Sequence, residues 1–466
     1  MKSVIHDIHR QLMSGAYTCR ELVQGKITLL SDNEFHSTAR VLDESALALA
    51  DSVDEIIKTG QTIALLEGIP FGFKDVVLLQ GNIASGSSGF LKNYTAPYTA
   101  TVVKKLMDTG AIPVVIENCD SFGHGATGEN TVFGTVCNAH DKSRVAGGSS
   151  GGSAVNVAKG YTAFSVGADT GGAIPAGYNK VYGLKPTFGR VSRYGMMANV
   201  SSTDCIGPMA SSLEDIRILI NVLSGKDAQD QISFSPAPIP ESIFETKIIK
   251  EQIAIGYYKP FLDYKYLDAA IKEAFLKMIA TLSGQGIRVI PLDFLDPEVL
   301  VSAYFVLAMI ETSSSLARFD GSVYGTRSNN KNVQDASMIV RSQFLSDETK
   351  RRITGGCRAT SSGHDEDVYL KARILKQHIL ETFKKDFEKV NVILSPVSPY
   401  LPPLAGQSQD IPLSTYLPEA FTAGFNLGGL PVLTAPLFTP TGIQITANKN
   451  REDLLLAFAN YLEEAG

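Results

Sequence analysis

Lys74 lies inside an apolar run, Ile69-Pro70-Phe71-Gly72-Phe73-Lys74-Asp75-Val76-Val77. Burial disfavours the ammonium charge and lowers a lysine's pKa, which turns the amine into a base near neutral pH. A Lys74–Asp75 pair exposed on an edge strand is the plainer alternative. Two glycine turns follow in the chain. Gly147 to Ser153 contains only Gly and Ser, and Asp169-Thr170-Gly171-Gly172-Ala173 comes after an apolar stretch. Glycine permits positive φ and lets a backbone approach a ligand closely, so two such turns around one buried segment read as the floor of a site. A neutral lysine beside a serine of the first turn is one way to activate a hydroxyl.

Rival chemistries are weaker. Gly147-Gly148-Ser149-Ser150-Gly151 satisfies GxSxG, but that elbow needs a hydrophobic strand before it. The approach here is the polar His140-Asp141-Lys142-Ser143-Arg144-Val145-Ala146, and a partner histidine would have to be His364 or His378 in polar helical sequence. No GK[ST] follows the glycines, which argues against a phosphate loop. His6, His9, His36, His124 and His140 show no ligand spacing and read as structural. The five cysteines (Cys19, Cys119, Cys137, Cys205, Cys357) are scattered without CxxC spacing, so reduced thiols and no metal site are expected.

The elements that must hold these residues alternate. Residues 1–60 read as helical, beginning with an amphipathic helix on which Val4, Ile5, Ile8 and Leu12 share a face. A helix over Thr101–Thr109 leads through Gly110 into a strand at Ile112–Ile116. The same order recurs at Leu276–Ser283, Gly284 and Ile287–Ile290, which favours a layered α/β fold. The proline-rich segment Ser233–Glu245 reads as a surface connection. A long polar helix is expected near Asp365–Val390, then a strand at Val392–Leu394 and proline-punctuated loops from Pro396 to Pro412.

The 466 residues are organised as one domain: a helical part at 1–60, a Gly/Ser core at 61–230 and a second half at 246–466 that completes the sheet and pocket. No apolar run reads as long enough to span a bilayer, and the N-terminus lacks a signal-peptide pattern, so a cytoplasmic protein with no membrane partner is expected. The net charge of −6 argues against this chain alone gripping nucleic acid.

The stretch Asp141–Pro186 resembles the signature of the amidase signature family of serine amidases, whose fold is a mixed twisted central sheet covered by helices on both faces. Gly128–Gly134 (GENTVFG), Gly183–Gly195, Ser201–Pro208, Ser314–Gly325, Lys350–Ile353 (KRRI) and Asn426–Leu433 resemble, within it, the A subunits of tRNA-dependent glutamine amidotransferases. The resemblance implies that Lys74 is the family's base and Ser149 its bridging serine, bound through a cis peptide. The nucleophile position, 24 residues beyond Ser149, is Ala173. Backbone N–H groups of Thr170, Gly171, Gly172 and Ala173 would form the oxyanion hole.

The resemblance also implies substrate contacts for Tyr304, for Arg352 on an α-carboxylate, and for Glu419, which stands where the family has an aspartate for the α-ammonium. A surface or helix-packing role is the alternative for each. The implied activity is hydrolysis of glutamine or another small amide. Ammonia would pass to a B subunit that amidates misacylated tRNA, with a C subunit clamping the two. Tight tRNA contact would come through a partner, and ATP and magnesium would belong to that partner, leaving no cofactor for this chain.

Two departures qualify this. Position 173 lacks the hydroxyl, and the segment before Gly183 is about two residues short, without the family's arginine. A single designed change explains the alanine but not the shorter loop, so the change reads as natural. Retained amidase function and a pseudo-amidase that binds an amide or a partner without turnover therefore both stand. Thr170 is a poor replacement nucleophile, because its position supports the turn.

Overall fold

The computed structural model describes residues 2–169, 174–246, 248–361, 366–407 and 416–465. Its frame is an eleven-stranded mixed sheet. In chain order the strands are β1 Thr38–Val41, β2 Pro70–Lys74, β3 Ile112–Glu117, β4 Phe164–Asp169, β5 Tyr182–Lys185 and β6 Cys205–Ala210, then β7 Ala254–Tyr258, β8 Arg288–Leu292, β9 Val392–Pro396, β10 Val432–Ala435 and β11 Ile443–Ala447. The spatial order is β1-β3-β2-β4-β6-β5-β10-β11-β9-β7-β8. Two parallel trios, β3-β2-β4 and β9-β7-β8, are joined through antiparallel strands. Leu184 opposite Leu433 joins the halves in the β5–β10 pair.

The apolar run around Lys74 becomes a strand buried on both faces, as its lack of alternation requires of a parallel interior strand. β2 pairs with β3 on one side and β4 on the other, so Lys74 cannot lie on an edge, and the exposed-pair alternative is overturned. The strand ends at Lys74, short of the expected Val77. There the Asp75 carboxylate accepts backbone N–H bonds from Ser85 (3.1 Å) and Ser87 (2.6 Å) and turns the chain.

The other expected elements appear with shifted ends. The N-terminal helix, Val4–Met13, buries Ile5, Ile8 and Leu12. The helix Ala269–Gly284 starts seven residues before the expected Leu276, capped by Asp268. The polar helix is described over Glu366–Asp386, and His364 and Asp365 lie outside the described residues. The wholly helical reading of residues 1–60 is corrected by β1, which pairs antiparallel with β3. Thr38-Ala39-Arg40-Val41 carries no strand signal of its own; the β3 edge supplies it.

A second correction concerns long apolar runs. Pro297–Arg318 is 22 residues, and its most apolar 18-residue window has a mean hydropathy of 1.6, enough by length and composition to cross a membrane. Half of its most apolar window is buried inside the protein. Leu300, Tyr304, Leu307 and Ala308 of this helix are core residues, packed where helices Asp347–Thr360 and Glu366–Asp386 meet it. Beside them, stacked rings build a second core, with Tyr258–Phe294 centroids at 4.3 Å and Phe261–Phe421 at 4.7 Å. That stack anchors the 3-10 turn Leu417–Phe421, which carries Glu419.

Candidate functional site

Lys74 ends β2 with 1% of its surface exposed. Its Nζ donates to Ser149 Oγ at 2.6 Å and to the Ala168 carbonyl at 3.1 Å. Burial lowers its pKa below the ordinary lysine value, and Asp120, Asp169 and Asp204 pull it only part of the way back. The amine thus approaches the neutral form that takes a proton from a hydroxyl.

Ser149 follows a cis Gly148–Ser149 peptide and lies two residues before the helix Gly151–Ala158. A β-carbon at position 148 would collide with the Asp120 carboxylate, so only glycine fits there. Asp120 accepts from the backbone N–H of Gly128 (3.1 Å) and Asn130 (3.0 Å), while its own N–H donates to the Ser149 carbonyl at 3.2 Å. Ser150 ties the same turn to β4, donating to the Ala168 carbonyl at 2.9 Å.

Thr170, Gly171, Gly172 and Ala173 lie outside the described residues. The chain on either side is tightly held. Asp169 Oδ1 accepts from Asn426 Nδ2 at 2.7 Å. Ile174–Tyr178 forms a short buried helix, after which Asn179 Nδ2 donates to the Ala146 carbonyl at 2.7 Å. Asn138 Nδ2 reaches the Tyr178 carbonyl at 2.9 Å. The Tyr178–Asn179 end of this segment is thus stitched directly to the approach to the first glycine turn.

Arg352, 2% exposed on the helix Asp347–Thr360, donates from Nε to Glu348 Oε1 at 2.8 Å. Its guanidinium lies 5.2 Å from the Phe305 ring centroid and 5.9 Å from that of Tyr416. The Tyr416 hydroxyl donates to both Glu348 oxygens, each at 2.9 Å. Burial opposes the Arg352 charge, but Glu348, Glu419 and Tyr304 outweigh it and raise the pKa. Tyr304 is buried on the helix Pro297–Ser315, edge-on to Phe305 with centroids 5.1 Å apart.

Glu419 is 6% exposed, and its Oε2 has no hydrogen-bond partner among the described residues. Burial pushes its pKa up to about 8, against the pull of Arg352. Asp120 feels both Lys74 and Arg352; burial pushes it up to about 7 while those two cations draw it down. Lys74, Ser149, Tyr304, Arg352 and Glu419 therefore share one buried electrostatic neighbourhood. Glu348 was missed in the sequence although it lies four residues before Arg352, the spacing of a helical ion pair. Tyr416 carried no signal, since it meets Glu348 from 68 positions away.

The amidase family profile matches residues 26–456. The chain is 37% identical to the glutamyl-tRNA(Gln) amidotransferase A-subunit of Trichodesmium erythraeum, over 99% of this chain and 97% of that protein. To the A-subunit of the same enzyme in Alcanivorax borkumensis it is 36% identical, covering 97% and 95%. Among solved structures, the glutamyl-tRNA(Gln) amidotransferase A-subunit of Thermotoga maritima superposes with a TM-score of 0.76 at 27% identity, covering 94% of this chain and 89% of that one. A crystal structure of an amidase superposes with a TM-score of 0.82 at 26% identity, covering 100% and 99%.

Proposed function

Because this chain belongs to the amidase family, we propose that it is an amidotransferase A-subunit-like protein that binds glutamine or a similar small amide and turns it over very slowly. The observation that carries this reading is the 2.6 Å contact between a buried Lys74 and Ser149. Lys74 takes the Ser149 proton, and Ser149 in turn is set to take one from a hydroxyl two dozen residues on. Ala173 has no hydroxyl to give. Arg352 supplies a buried cation for a carboxylate, Glu419 an acid able to ionise beside an ammonium, and Tyr304 a wall of that pocket. Backbone N–H groups of Thr170–Ala173, which lie outside the described residues, would meet the amide oxygen.

The rest of the proposal follows from this one. Residues 1–466 act as a single amidase domain, supported by one sheet that runs through both halves. The partners are B and C amidotransferase subunits, with tRNA, ATP and magnesium held by the partner, and the location is the cytoplasm. A second reading has one observation behind it. Ser149 is partly exposed and already paired with a base, so residual hydrolysis would pass through Ser149 itself.

The test is ammonia release from glutamine. Losing the nucleophile in a comparable serine hydrolase costs about 10⁶-fold, so the purified chain is expected to be nearly silent, and robust turnover sinks the reading. Ala173→Ser alone should restore little, because a displacement near 1 Å at a catalytic group costs roughly 10²-fold. Rebuilding the longer Ser-Ile-Arg loop should restore more.

A further inference from the structure

Gly123 sits against a cluster of polar side-chain atoms. Apart from its own chain neighbours, the nearest heavy atoms to a β-carbon built there are Asn199 Nδ2 at 3.5 Å, Ser149 Oγ at 3.8 Å and Lys74 Nζ at 4.0 Å. Two of these are the paired groups of the site. Asn199, from a loop well separated in sequence, has no place in the roles described so far. It is 4% exposed, and its Nδ2 is buried with no hydrogen-bond partner among the described residues. A buried carboxamide nitrogen left unpaired is costly, and its two N–H groups point to an acceptor that arrives with a ligand.

The orientation of that amide is held from behind. His124 Nε2 lies 2.8 Å from Asn199 Oδ1, and Thr312 Oγ1 donates to the same oxygen at 2.9 Å. His124 Nδ1 is 3.1 Å from Thr349 Oγ1, which accepts from Ser346 Oγ at 2.9 Å. With Ser346 donating to Thr349, the threonine has its own proton for His124 Nδ1. The imidazole proton then sits on Nε2 and faces the Asn199 oxygen. Burial, helped by the Arg352 and Lys74 charges, pushes the His124 pKa down to about 3, so the ring is neutral and carries one proton. The Asn199 backbone is fixed as well, its N–H donating to Asp204 Oδ2 at 3.0 Å.

The geometry points to Asn199 as a binding residue that donates from Nδ2 to the carbonyl oxygen of an amide ligand beside Lys74 and Ser149, with His124 as the positioning residue behind it. This rests on the reading of the pocket as an amide site. It gives the site a side-chain donor specific for a ligand carbonyl.

Calorimetric titration with L-glutamine and with L-norvaline, which keeps the amino-acid head and lacks the carboxamide, tests it. Asn199→Asp retains the acceptor for His124 and Thr312 and removes the donor. It is expected to weaken glutamine binding about tenfold or more, the scale of one buried hydrogen bond, while norvaline stays within about twofold. Should that variant fold poorly, the double change His124→Met with Asn199→Leu, which leaves no imidazole donor stranded, should give the same selective loss. Glutamine affinity unchanged in a folded variant overturns the inference, and so does an equal loss for both ligands. A wild-type chain that binds neither ligand overturns the amide-site reading and this inference with it, a result distinct from a missing variant effect.

Discussion

Lys74 and Arg352 are both nearly fully buried basic side chains, and the protein treats them in opposite ways. Lys74 is bonded to a hydroxyl and a carbonyl among the described residues, and desolvation wins, so its pKa falls. Arg352 is given Glu348 in direct contact and Glu419 nearby, so the carboxylates win and it stays charged. The Lys74 amine is pushed toward its neutral form and the Arg352 guanidinium is held charged. Burial alone decides neither; the first neighbours do.

The largest expected effect breaks the charged end. Arg352→Ala leaves the Glu348 carboxylate with only the half-exposed Arg351 as a cation, and removing one partner of a buried pair costs about 3–5 kcal/mol. Chemical denaturation of the variant should show this loss. Arg352→Met combined with Glu348→Gln should recover part of it, because the double change leaves no uncompensated charge. A loss below about 1 kcal/mol in the single variant would mean that the ion pair is solvated, erasing the contrast with an exposed pair.

A smaller effect is expected at the proton-moving end. A fluorophosphonate probe should label Ser149, and Lys74→Ala should slow labelling by roughly 10²- to 10³-fold, the usual worth of a positioned base. In the wild type the rate should rise with pH and level off below the ordinary lysine value of 10.5, since burial lowers the Lys74 pKa. Peptide mapping identifies the labelled residue. Labelling at Ser149 that ignores Lys74 would remove the base from the comparison.

The finest test concerns Glu419, whose pKa of about 8 leaves it largely protonated at neutral pH. A ligand ammonium favours the ionised carboxylate, so binding at pH 7 should release a proton. Affinity should then rise with pH and flatten near 8, by at most about tenfold per unit below that point. Calorimetry in buffers of different ionisation enthalpy counts the protons released. Glu419→Gln should abolish the release; an unchanged count would assign the titration to another group.

Lys74, the glycine turns and the KRRI arginine were legible because each is a local pattern: a charge within an apolar run, a cluster of glycines, a short basic motif. The Lys74 end was also the better read, since β2 is a continuous apolar segment whose burial follows from its own residues. The charged end was read only as single residues. Glu348, which keeps Arg352 ionised, is itself held by Tyr416, whose ring packs on Phe305 of a distant segment. β1 was missed for a related reason, since four residues without alternation become a strand only against an existing edge.

By itself the sequence determined the chemistry available: an amine in apolar surroundings, a serine in a glycine turn, and an alanine at position 173. Tertiary structure decided how that chemistry is tuned. Desolvation and Coulomb interactions depend on distances between residues far apart in the chain, and packing alone brings Lys74 against Ser149 across 75 positions and Asn199 behind Gly123 across a comparable span.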